Sequence, residues 1–150
     1  HVYSHTELEA RHEIELEKYL KKVQIEARIM GDLALNHIIP TAVTYQNELL
    51  TNVNGLKSAG LPESAYASQL AILKDVSAHI QAVYENVNAL VEARKVANAI
   101  EDTRARAIAY CTDVKEAYFD KIRYHVDKLE HLVNDEDWSL PKYRELLFLR

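Results

Sequence analysis

Glycine and proline are scarce, with three of each in 150 residues. Both punctuate turns, so their shortage leaves room for few connections and predicts few, long elements. One cysteine, Cys111, excludes an internal disulfide framework and fits a reducing compartment. No apolar run approaches the ~20 residues of a membrane span, and no signal peptide opens the chain. The expectation is a soluble, cytoplasmic protein without a membrane partner. Acidic residues outnumber basic ones to a net charge of −5, and no cation cluster offers the surface that phosphate binding needs; nucleic acid is not an expected partner. No catalytic or cofactor motif, repeat or low-complexity tract is present. At this length roughly 70% of the unfolded chain's surface can be buried. One domain with a real core is therefore expected.

What the chain does contain is helical periodicity. His1 to Tyr3 read as a frayed edge. Ser4-His-Thr-Glu7 has the form of a capping box, in which each side chain satisfies the other's free backbone amide. Leu16, Leu20, Val23, Ala27, Met30, Ala34 and Ile38 then recur at steps of three or four, one apolar stripe. Ile25 and Ile29 lie off that stripe, which suggests a helix covered on a second side. Pro40 lacks a backbone donor and crowds the preceding turn, so a kink or short break is predicted at Ile39–Thr41 before a second helix. Asn54-Gly55 weakens the end of that helix, Gly60 suits its left-handed terminator and Pro62 the first turn of the next.

Leu73, Val76, Ile80, Val83, Val87, Leu90 and Ala97 form a heptad seam interrupted by Arg94, so this third helix packs nearly parallel or antiparallel to its neighbours. Asn98-Ala-Ile-Glu101, Asp102 or Thr103 can cap a fourth helix. That helix carries Ile108, Cys111, Val114, Tyr118, Ile122, Val126, Leu129 and Val133, with a break or restart suggested at Asp113–Glu116. An acidic turn, Asn134–Asp137, leads to an apolar tail of Trp138, Leu140, Tyr143, Leu146, Leu147 and Phe148 around Pro141, expected to pack against something. The predicted fold is all-α, an antiparallel helical bundle of about four long helices, the first pair bent at Pro40, plus a short C-terminal helical tail. Residues 1–150 read as one helical domain, with helices at about 5–38, 42–58, 63–98, 101–133 and 141–147.

Seven histidines raise the question of a metal. Glu9-Ala-Arg-His12 matches half of a di-iron carboxylate motif, but no second copy follows. Asp75 and His79 share a helix face, as do Asp127 and His131, and both pairs read as solvated charges. Cys111 falls on an apolar stripe, where cysteine behaves as a small hydrophobe; a nucleophile would need an activating base that is not visible. Tyr19, Tyr45, Tyr66, Tyr84, Tyr118 and Tyr124 have helical spacing without interleaved cations, which favours core or interface packing over base stacking. Arg28 and Asp32 are expected to pair along the helix, and Glu26 to be solvated. No catalytic, cofactor-binding or metal-ligating residue is therefore assigned.

Three long strings go further. IEARIMGDLALNHIIPTAVTYQN, within residues 23–47, resembles the C-terminal region of the type III glutamine synthetases. So do EARKVANAIEDTRARAIAYCTDVK at 92–115 and KIRYHVDKLEHLVNDEDWSLPKYRELLFLR at 121–150. The resemblance runs from about residue 10 to Arg150. It implies a parent enzyme that joins ammonia to glutamate with ATP and Mg or Mn, assembled as stacked rings in the cytoplasm. It also implies that the catalytic residues belong to an upstream β-rich domain, since no position here matches the family's metal-binding or ATP-contacting residues. The segment is then expected to be inactive alone, its partners the upstream catalytic domain and neighbouring subunits of a ring-shaped homo-oligomer. Two other roles fit the same residues: a regulatory docking bundle for a nitrogen-signalling partner, and a free-standing helical interaction module.

Overall fold

The computed structural model describes residues 4–147. His1–Tyr3 and Phe148 lie outside them. Three long helical rods and one short helix make an all-α fold, with no strand among the described residues. The first rod comprises α1 (His5–Leu33), a π-helical segment (Ala34–Ile38) and α2 (Ile39–Ser58). Its start is the capping box expected at Ser4: the Oγ accepts from the Glu7 amide at 3.3 Å, while the Glu7 carboxylate accepts from the Ser4 amide at 2.7 Å. Those bonds hold the Glu7 carboxyl below its usual range.

The backbone does not break at Ile39–Thr41. Ile38 and Ile39 keep right-handed helical angles, and the Ile39 amide donates to the Ala34 carbonyl, five residues back. In a regular α-helix the Pro40 ring would press on the Asn36 carbonyl. The wider π turn relieves that crowding, so the irregularity sits ahead of the proline and the helix continues through it. At the other end Leu61 donates to the Leu56 carbonyl and Gly60 to that of Lys57, with Gly60 at φ 79°. This is a Schellman stop, which a left-handed glycine makes inexpensive. Pro62 precedes a short 3-10 turn, Glu63–Ala65, rather than opening the next α-helix.

The second rod is α3 (Ala67–Asn98). The third comprises α4 (Thr103–Ala109), a longer π-helical segment (Tyr110–Phe119) and α5 (Asp120–Leu132). Asp102 caps α4 by accepting from the Ala105 amide at 2.7 Å. Asn98 is instead the last residue of α3, and its side chain accepts from Tyr110 and Gln24. The suggested restart at Asp113–Glu116 falls within unbroken π-helix. There the buried positions run Tyr110, Val114, Phe119, Ile122, and the step of five carries the core stripe around the helix. Ile108 is consequently exposed and Cys111 half-buried, whereas Tyr110 is wholly enclosed.

Side-chain bonds Gln24–Asn98 and Gln46–Ser77 set the first rod antiparallel to α3, and Asn98–Tyr110 does the same for the third. Rods one and three thus run parallel, and each of the three rods packs against the other two. Val76, Val83, Val87 and Leu90 of the heptad seam are fully enclosed, each contributing about 1.5–3 kcal/mol by leaving water. After α5 the chain turns at Asn134, whose Oδ1 accepts from the Asp137 amide, and returns as a strap ending in α6 (Tyr143–Leu146). Trp138 and Leu140 pack on the core; Tyr143, Leu146 and Leu147 stay exposed. Lys142 is buried in the strap, donating to the Val133 carbonyl at 2.9 Å and pairing with Asp135 at 2.7 Å, while Arg144 also reaches Asp135.

Candidate functional site

The polar pairs singled out in the sequence do not converge. Glu9 approaches His5 on the exposed start of α1, away from any second acidic residue that could complete a di-iron pattern with His12. Asp127 and His131 line an open polar cleft between α5 and the strap, together with Arg123, Glu130, Lys142 and Arg144. Asp32 accepts from Asn36 rather than from Arg28, and Glu26 lies at the edge of ion-pair range from Lys22. Among the described residues no three His, Cys, Asp or Glu side chains stand close enough to share a metal ion.

Cys111 faces a small polar cluster instead of sitting in the core. Its thiol donates to the Glu116 carboxylate at 3.6 Å, and Tyr19 reaches across from α1. The bond to Cys111, then burial, then the negative charges of Glu116 and Glu26 push the Tyr19 phenol up to about 12. A proton held more tightly when folded stabilises fully below the ordinary tyrosine value near 10. That stabilisation is lost as pH rises from there through the folded value. Tyr45 and Tyr118 pack beside the core as expected, whereas Tyr84 and Tyr124 are exposed.

A contact absent from the sequence argument joins α3 to α5. The Nδ1 atoms of His79 and His125 stand 2.9 Å apart, so one ring donates its N–H to the other's lone pair. The rings are half-buried with centroids 5.2 Å apart, and Tyr124 meets His125 edge-on. Burial first, and the neighbouring His79 second, draw the His125 imidazole below its usual value. A signal for the pair did exist: each histidine immediately precedes a stripe residue, Ile80 or Val126, and so flanks the seam between the two helices.

The broadest unsatisfied feature is apolar. Ile25 and Ile29 are 57% and 52% exposed on the face of α1 turned away from the core, with Ile14 and Leu8 further along the same helix. Ile29 also borders a groove of about 470 Å³ between the first and third rods, floored by Met30, Leu33, Phe119, Ile122 and Val126 and closed by Leu140. Glu26 and Arg123 stand at its rim. Contiguous exposed apolar surface of this kind is characteristic of interaction sites and ligand grooves.

A family model described as the glutamine synthetase C-terminal domain matches residues 1–57, the first rod. The chain is 46% identical, over 99% of its length, to a glutamine synthetase of Bacteroides fragilis (strain YCH46), covering 21% of that protein. It is 31% identical over 99% of its length to the type-3 glutamine synthetase of Dictyostelium discoideum, covering 20% of it. A glutamine synthetase of Butyrivibrio fibrisolvens is 27% identical over 98% of the chain, which covers 21% of that relative. The chain thus spans about a fifth of the length of the curated relatives it matches.

Proposed function

We propose, from its likeness to glutamine synthetases, that the chain is the C-terminal helical domain of a type III glutamine synthetase, non-catalytic itself and supporting packing in that enzyme. The parent would ligate ammonia to glutamate at the expense of ATP, with Mg or Mn, in the cytoplasm. Nucleotide and metal would be held outside these residues. The observation that carries the packing role is the outward apolar face of α1, Ile25 and Ile29, continuous with the groove that Leu140 closes. A face of that kind left in water gains by being covered, about 25 cal/mol for each Å² of apolar surface removed from solvent. The surface that covers it belongs to the catalytic domain or to a neighbouring subunit of a ring-shaped homo-oligomer.

The test is to prepare the full-length parent with and without the segment from Ser4 onward. Particle mass by light scattering and glutamine formation are then measured on the same samples. Inactive small species or aggregate after truncation supports the packing role. An active ring of normal stoichiometry sinks it and favours a regulatory docking role. An intact parent that forms no glutamine overturns the ligase reading itself.

A further inference from the structure

We propose that His79 and His125 form a proton-operated latch between α3 and α5, holding the helices together while the pair carries at most one proton and releasing α5 with its strap when both rings are charged. The geometry requires one lone pair. At 2.9 Å the Nδ1 of one ring donates and that of the other accepts. A second proton removes the acceptor and sets two cations against each other across a half-buried seam, where they interact more strongly than in water.

The surroundings do not cancel that repulsion. Within one helical turn α3 brings Asp75, an exposed carboxylate, while α5 brings the exposed Arg123 and Asp127 as well as Lys121 and Lys128, whose amines lie over the Tyr118 and Tyr124 rings at 5.5 Å. The charged residues of α2 are Glu48, engaged by Asn134, and Lys57 at its far end. The first π-helical segment, packed against α5, brings the exposed His37. Three cations, Lys121, Arg123 and Lys128, against two solvated carboxylates, Asp75 and Asp127, leave the second proton opposed. Burial and the His79 charge both lower the His125 proton affinity, in the direction the latch needs.

What would loosen is defined by connectivity. α5 continues through Asn134 into the strap that presents Trp138, Leu140 and Lys142 to the core. Rod one and α3 make their own contacts and need not follow.

The experiment uses the 150-residue chain. Imidazole resonances of the wild type, His79→Asn and His125→Asn are titrated by NMR, and amide exchange protection is measured between pH 7.5 and 5.5. Asparagine places an amide near the Nδ1 position without a titrating group. The expected result has His125 titrating below its ordinary 6.5 and moving up in His79→Asn. Protection in α5 should fall at least tenfold on acidification while that of Val23 and Ala27 in α1 holds, and both asparagine variants should abolish the fall. The latch is overturned if His125 titrates identically with and without His79, or if protection falls equally in all three rods. Should an asparagine variant fail to fold, the wild-type protection pattern decides alone.

Discussion

α3 and the first half of α1 are both regular α-helix, yet they are held in different ways. Along α3 the seam residues Val76, Val83, Val87 and Leu90 are fully enclosed against the other two rods, which also pack on each other. From His5 to Glu15 every residue of α1 is exposed, and the first buried side chain is Leu20. The one helix rests on tertiary packing; the other rests on its capping box and charge pairs such as Lys18 with Glu15. Helical propensity alone leaves a segment of that length marginal in water. An arm of this kind becomes firm when another surface covers it.

Substitutions should separate the two regimes, beginning with the largest effect. Leu90→Ala, within the seam, should cost about 3 kcal/mol in urea denaturation. A loss below about 1 kcal/mol would mean that α3 is less central than it looks. Lys142→Ala removes the buried ammonium that ties the strap to Val133 and Asp135, and should cost about 2 kcal/mol. Trp138, the single tryptophan, should shift its emission to the red first. The Lys142 and Arg144 partners hold the Asp135 carboxyl below its usual 3.8. Their contribution is therefore present above that value and lost as pH falls through the lower folded one. Trp138 emission in acid should mark the loss, with the transition moved up in Arg144→Ala.

Smaller effects sharpen the contrast. Tyr110→Phe deletes the enclosed hydroxyl's bond to Asn98 at 2.8 Å and should cost about 1 kcal/mol. Ser4→Ala should cost a few tenths to about 1 kcal/mol, read as lost helicity in the arm by circular dichroism while the thermal midpoint of the bundle stays put. Ile25→Ser with Ile29→Ser should leave the midpoint of the isolated chain unchanged while weakening assembly of the full-length enzyme in light scattering. A midpoint drop in the isolated chain would place those side chains in a contact of its own and remove the docking argument.

Much of the bundle was legible in the order of residues because burial follows helical period. The α3 seam, the Ser4–Glu7 cap and the Gly60 stop are local signals with local causes. Legibility failed where the period changed. The second π-helical segment takes a step of five from Val114 to Phe119, so a stripe projected at three and four assigns Ile108 wrongly to the core and overlooks Tyr110. The first hides Pro40 inside a continuous rod for the same reason. The His79–His125 contact joins residues on different rods, and its geometry depends on their relative rotation, which no single helix records. The apolar excess at Ile25 and Ile29 was visible as a departure from the stripe, but its full extent needed the groove beside Leu140.

The unbroken passage through Pro40 has a mechanical consequence. At about 1.5 Å per residue, the rod from His5 to Ser58 is close to 80 Å long, and the bundle holds it from Leu20 to Val53 while the arm before Leu20 projects. A force applied at the arm is not absorbed by a joint at the proline. It is carried along the core toward the α2–α3 hairpin, as by a beam clamped over most of its length with one end projecting.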